Sequence, residues 1–177
     1  MKPLSPVEQK FILHWGEMGT RWGINRTVAQ IHALLYLAPR PLNAEEIAST
    51  LSVARSNVST SLKELQGWGI VKRVHVLGDS RDHFESMKEV WEMFRVVLDE
   101  RKKREIDPTL SMLRSCIAEA EKDKHTDDYT QARLRDLADF FETTTAWYDQ
   151  IRQWPTNALT KFVKLGDKIR KLIGAGS

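Results

Sequence analysis

Apolar residues recur along most of this chain at spacings of three and four, the mark of amphipathic helices, and one short stretch changes to a β-branched run. Residues 5–22 read as a helix. Ser5 is its cap, Pro6 suits its first turn, and Val7, Phe11, Leu13, Trp15, Met18 and Trp22 supply apolar surface. Residues 25–37 read as a second helix with Val28, Ile31, Leu34, Leu35 and Leu37 inward. It stops at APRP because Pro39 and Pro41 cannot continue it. In NAEE, Asn43 and Glu46 have the spacing of a capping box that opens a short helix burying Ile47, Ala48 and Leu51. After a tight break at Ser52 and Val53, the inward stripe Val58, Leu62, Leu65 defines a fourth helix, ended by Gly67 and Gly69. IVKRVHV then reads as a strand, LGDSR as a turn and DHFES as a short return strand.

Helix, tight turn, helix, hairpin is the order of a winged helix-turn-helix. From Met87 onward the chain returns to helical spacing. Met87, Trp91, Phe94 and Leu98 form one stripe, and Ile106, Leu110, Leu113 and Ile117 form the next. Between them, Asp107-Pro108 either kinks a continuous helix or caps a new one. A third stripe runs through Leu134, Leu137, Phe141, Thr144, Tyr148 and Ile151. A last helix from near Pro155 is expected to bury Leu159, Phe162, Val163, Ile169, Leu172 and Ile173. The expected fold is mainly α with a small β wing. Residues 1–24 form an N-terminal packing or dimerisation helix, 25–86 the winged helix-turn-helix and 87–177 a long helical dimerisation region. Such stripes exceed what one slender extension hides, so packing across a homodimer is expected, with intrachain packing as the alternative.

The fourth helix departs from the usual pattern of surface helices. Its outward positions are Arg55, Ser56, Asn57, Ser59, Thr60 and Lys63, and no acid appears before Glu64. Short hydrogen-bonding side chains suit a helix that must approach base edges in a DNA major groove about 12 Å wide, where carboxylates would repel phosphates. Arg55 is the residue to fork onto a guanine, and Asn57 the one to pair with an adenine. Ser56, Ser59 and Thr60 reach bases or phosphates, and Lys63 meets the backbone. On the hairpin, Arg81 sits at the turn with Asp79 placed to fix its guanidinium by a bidentate pair, an arrangement suited to the minor groove. Lys72 and Arg73 on the first wing strand and His83 on the second extend this DNA-binding set. The plainer alternative makes the helix an ordinary serine-rich surface and the hairpin pair two turn residues.

Net charge is only +3, with a pI near 9.0, which permits a nucleic-acid partner without requiring one. Between Arg40 and Ser86 the basic and acidic residues are equal in number, so non-specific DNA affinity should be modest and salt-sensitive. The single cysteine, Cys116, excludes a disulfide framework and multi-cysteine zinc sites, and lies in an apolar stripe as a small core residue. No signal peptide or membrane-length apolar run is present, and a cytoplasmic protein is expected. The five histidines form no metal motif, and no P-loop or dinucleotide fingerprint appears, so neither an enzyme, a cofactor nor a metal is expected.

Residues 10–107 resemble the GbsR branch of the MarR-like transcriptional regulators. The likeness is carried by HWG and its following glycines, LLYLAPRPL, EEIASTL, SNVSTSLKELQGWGIVKRV and the wing GDSRDHF. It implies a homodimeric repressor or activator gripping a palindromic operator in double-stranded DNA, with 55–63 as reading helix and Arg81 as wing arginine. Ala54 departs from the Ser or Thr that many MarR-like proteins place at the start of this helix, which leaves that cap without a hydroxyl. The resemblance also implies a quaternary ammonium effector. Trp22, Trp91, Trp147 and Tyr148 can supply walls of an aromatic cage, or serve as core and interface anchors. RKKR at 101–104 is a solvated face or a phosphate contact. The basic last helix, with Lys161, Lys164, Lys168, Arg170 and Lys171, is read as dimer packing with a wet face, in preference to membrane attachment. A non-catalytic winged-helix adaptor that binds protein remains the competing function.

Overall fold

A computed structural model describes residues 3–123 and 125–165. The chain divides into two compact units between Val97 and Leu98.

The first unit is built on a central helix. Helix α1 (Pro6–Arg21) starts on a capping box in which Ser5 Oγ accepts from the Glu8 N–H and Glu8 Oε2 accepts from the Ser5 N–H. It packs on α2 (Arg26–Leu37), whose Val28, Ile31, Leu34 and Leu35 are all buried. The two helices approach closely at Gly19, where a Cβ would lie 2.5 Å from that of Ala29. Strand β1 (Leu42–Asn43) leads into α3 (Ala44–Leu51), capped as its sequence predicts: Asn43 Oδ1 accepts from the Glu45 and Glu46 N–H groups, and Glu46 Oε2 accepts from the Asn43 N–H. Ser52 takes a left-handed conformation, φ 53°, and makes the tight break before α4 (Arg55–Gly67).

Strands β2 (Val71–Val76) and β3 (Asp79–Ser86) form the wing, with Gly78 supplying the positive φ of the turn. The sheet has three antiparallel strands in the order β1-β3-β2, where the sequence predicts only a hairpin. Leu42 pairs with Phe84 and Asn43 with His83. A strand of two residues is too short to display alternation, which is why the pattern misses it. Ile31, Leu34, Leu35, Leu42, Ile47, Val58, Leu65 and Ile70 form one core beneath α4 and the wing. Each such side chain contributes about 1.5–3 kcal/mol through burial.

Lys88, just past the wing, ties this unit together. Its Nζ donates to the carbonyls of Leu35, Tyr36 and Ala38 at 2.8, 2.6 and 2.9 Å, and lies 5.7 Å from the Tyr36 ring centre. Carbonyls at the end of a helix lack intrahelical partners, and a cation there also favours the helix dipole. Lys88→Met is expected to lower stability by about 1–2 kcal/mol in urea titrations, because the stem is retained while those carbonyls lose their donor. An unchanged midpoint would show that water replaces the ammonium without loss.

Helix α5 (Val90–Arg101) crosses the boundary between the units and continues through a π-helical stretch (Lys102–Ile106) into α6 (Asp107–Ala120). Pro108 has no N–H for the fourth carbonyl before it and would crowd that carbonyl. The wider turn immediately upstream accommodates the ring, so the helix neither stops nor is capped at Asp107. In the second unit α6 pairs antiparallel with α7 (Asp128–Ile151). Leu110, Leu113 and Ala138 pack with Ile117, Leu134 and Phe141. Arg114 bridges to Glu142 at 2.9 Å, and Asp99 accepts from Arg152 at 3.0 Å. In α8 (Thr156–Lys164), Leu159 is buried and Phe162 meets the Trp154 ring edge-on, but Val163 is exposed against expectation. Ile169, Leu172, Ile173, Lys168, Arg170 and Lys171 lie outside the described residues. Cys116 is only half-buried, with Sγ 3.5 Å from Met112 Sδ. Among the described residues no helix is long and apolar enough to cross a membrane.

Candidate nucleic-acid interface

Helix α4 stands on Val58, Leu62 and Leu65, all buried, so its opposite face is fixed toward solvent. Arg55, Ser56, Asn57, Ser59, Thr60 and Lys63 are all exposed there, as predicted from their spacing. Ala54 makes no side-chain cap hydrogen bond, so the helix opens without a hydroxyl on its first N–H groups.

The wing arginine is held as its sequence suggests. Arg81 Nε donates to Asp79 Oδ1 at 2.9 Å, Nη2 donates to Oδ2, and the Arg81 backbone N–H donates to Oδ1 at 3.0 Å. These hydrogen bonds hold the Asp79 carboxyl well below the usual carboxylate range. Lys72 pairs with the half-buried Glu85 at 2.9 Å, and the exposed Arg73 with Asp82 at 3.2 Å. Exposed pairs of this kind are worth about 0–1 kcal/mol, so a phosphate can replace the acid.

His83 corrects the expected set. It is 4% exposed, its Nδ1 lies 2.9 Å from the Arg81 carbonyl oxygen and its Nε2 3.5 Å from Asp79 Oδ2. It lies where β1 pairs beside β3, opposite Asn43, and is covered there behind Arg81 and Asp79, so it braces the wing and is not on the exposed surface.

Glu45, in the first turn of α3, reaches beyond its own helix. Its Oε1 accepts from Arg55 Nη1 at 3.0 Å and its Oε2 from Arg81 Nη1 at 3.2 Å. One carboxylate therefore joins the start of α4 to the wing. Around it is a cleft of about 380 Å³ lined by Asn43, Arg55, Lys63, Arg73 and Arg81 among others, with Glu45 and Asp82 as its acids. The acidic first turn in NAEE was a visible signal, but only the return of β3 across α3 brings Arg81 to it.

The candidate cage residues are divided between the units. In the first, Trp22 meets Trp15 edge-on at 5.8 Å, and Trp91 meets Phe94 at 6.4 Å. In the second, Trp147 is largely exposed, and the Tyr148 hydroxyl donates to Asp99 Oδ1 at 2.7 Å. Burial and the Asp99 carboxylate both raise the Tyr148 hydroxyl above its ordinary pKa. Among the described residues no cluster of His, Cys, Asp or Glu has the makings of a metal site.

Comparison with known proteins bears directly on the reading face. Residues 22–82, which carry α2, α3, α4 and the wing turn, match the MarR family model. That segment is similar to the MarR family of winged-helix proteins. The chain is similar to the HTH-type transcriptional repressor GbsR of Bacillus subtilis (strain 168), 21% identical over 154 residues, covering 83% of this chain and 85% of that protein. The crystal structure of a transcriptional regulator superposes with a TM-score of 0.63 at 19% identity, covering 90% of this chain and 99% of that one. That likeness extends the shared fold beyond the segment matched by MarR. Arg55 and Arg81 sit on the two projecting elements of this winged helix, α4 and the wing.

Proposed function

We propose that the protein is a repressor that binds a palindromic operator as a homodimer, reading bases with α4 and a minor groove with the wing. The observation that carries this reading is the pairing of a short, uncharged, exposed α4 face with two arginines, Arg55 and Arg81, in one cleft. Arg55, Asn57 and their serine and threonine neighbours read the major groove. Arg81, oriented by Asp79, enters the minor groove, while Lys63, Lys72 and Arg73 meet phosphates. Repression is supported by the similarity to GbsR, which is itself a transcriptional repressor.

A dimer is supported by the apolar faces left uncovered on α5 and α7. Helix α5 buries none of its residues, and α7 buries only Ala138. Two-fold symmetry would place paired reading helices in successive major grooves about one DNA turn apart.

The test is enrichment of genomic fragments by purified protein, followed by gel shifts with Arg55→Ala and Arg81→Ala. Arg55→Ala is expected to cost about 1–3 kcal/mol at one base position and relax the preference there. Arg81→Ala is expected to weaken binding about tenfold across sequences, as loss of a groove contact does. Equal binding by wild type and both variants to every duplex would overturn the assignment. A protein-binding adaptor would retain no fragment at all.

A further inference from the structure

We propose that Glu45 is a specificity-determining residue: by holding Arg55 and Arg81 together on one carboxylate, it keeps both from binding phosphates indiscriminately. This inference rests on the DNA-reading function proposed above.

The side chain of Glu45 takes no part in capping its own helix. That work is done by Asn43, which accepts from two backbone N–H groups, and by Glu46, which accepts from the Asn43 N–H and pairs with Arg40. Both Glu45 oxygens are turned instead to guanidinium groups, one from the reading helix and one from the wing. Arg81 already has Asp79 as a full bidentate partner, so the contact to Glu45 adds direction rather than a missing partner. For Arg55 the tie matters more, since the first turn of α4 carries no acid and Glu45 is 10 residues away in sequence.

An arginine on a flexible stem, facing DNA without such a tie, takes the nearest phosphate, and phosphate contacts carry no sequence information. A carboxylate at the same place has two effects. It repels phosphates from the cleft, and it fixes the guanidinium direction so that a correctly placed pair of base acceptors is the better exchange. The result is lower affinity for arbitrary DNA and greater discrimination, the usual trade when a repulsive group is built into a recognition surface. Because one carboxylate grips both arginines, the major-groove and minor-groove readers are also held at a set separation.

The experiment begins with wild-type protein enriching a random-sequence duplex pool. It then compares wild type with Glu45→Gln on the enriched duplex and on a scrambled duplex of the same composition. Glutamine keeps the shape and removes the charge, and the helix cap does not depend on it. The variant is expected to bind the scrambled duplex about three- to tenfold more tightly at 0.1 M salt, with its log–log salt slope steeper by about one as an arginine gains a phosphate. Discrimination between the two duplexes should fall about tenfold. Glu17→Gln, at an exposed position of α1, controls for net charge.

An unchanged ratio and slope would overturn the proposal, as would equal weakening of both duplexes or the same change in Glu17→Gln. In those cases the wild type still enriches DNA and the reading function stands. Failure of the wild type to enrich any duplex would remove both.

Discussion

Under the homodimer proposed above, Phe140→Glu is expected to leave the second unit folded, yield a monomer and weaken operator binding by about a hundredfold or more. Helix α7 carries two apolar faces. Leu134, Ala138 and Phe141 pack on α6, whereas Leu137, Phe140 and Trp147 remain 45%, 59% and 53% exposed. With Thr144 between them, the outer positions are spaced three, four and three, the geometry of a seam that meets another helix. Covering large apolar side chains yields about 1.5–3 kcal/mol each, and a carboxylate in the middle of such a seam costs several kcal/mol by desolvation. Within its own protomer Phe140 contacts the Phe141 ring edge, at 5.6 Å, so little intrachain packing is lost. The effect on DNA follows from linkage of the two heads. Once one winged helix is bound, the other acts at high effective concentration, and a monomer forfeits that gain of about 10²–10⁴. Sedimentation velocity and gel shifts at equal protomer concentration measure the two effects, with thermal melting as the check on folding. A variant that stays dimeric and binds like wild type would place the dimer contact elsewhere.

The division of α7 into an inner and an outer face shows where reading the sequence stops. Helical spacing locates the apolar positions, and it placed Leu134, Leu137, Phe141 and Tyr148 on one broad stripe. Spacing alone does not say which edge of that stripe meets α6. The winged helix was more legible because its signals are local: Pro39 and Pro41, the Asn43–Glu46 box, the inward triad Val58, Leu62, Leu65, and the wing turn with Asp79 beside Arg81. Each of these requires residues only a few positions apart. What escaped depends on chain return. Strand β1 exists because β3 comes back beside Leu42 and Asn43. His83 falls on the second wing strand by sequence, yet the pairing of β1 beside it covers the ring. Glu45 stands in the acidic first turn of a helix, and its hold on Arg81 spans 36 positions. Lys88 likewise caps a helix that ended some 50 residues earlier. Of the two alternatives at Asp107-Pro108 the continuing helix is the one found, and its π-helical turn was not legible because proline restricts the backbone without dictating how the preceding turn adjusts.

His32 provides the largest expected effect of pH. It lies within α2, 6% exposed, with no hydrogen-bond partner at Nε2, and its ring is 6.5 Å from that of Tyr36. Burial first, and the nearby Lys88 ammonium second, lower its pKa to about 4 from an ordinary value near 6.5. The folded value is the lower one, so above pH 6.5 neither state binds the proton and stability is full. As pH falls toward 4 the unfolded chain takes up a proton that the folded one refuses, and stability declines throughout that interval. At about 1.4 kcal/mol per pH unit, the loss approaches roughly 3 kcal/mol near pH 4 and then levels off as the folded imidazole also protonates. Helix α2 supports α4 from beneath, so acid loosening of this core reaches α4 directly. His32→Leu removes the titrating group and a buried unsatisfied nitrogen together. It is expected to match or exceed wild type at pH 7 and to exceed it by a further 2–3 kcal/mol or so in urea titrations at pH 4.5. Carboxylates such as Asp79, whose pKa is held low by Arg81, add their own acid sensitivity to both proteins and cancel in the comparison. Parallel curves from pH 7 to 4.5 would mean that the His32 ring is protonated without cost to the fold, leaving the acid limb to those carboxylates.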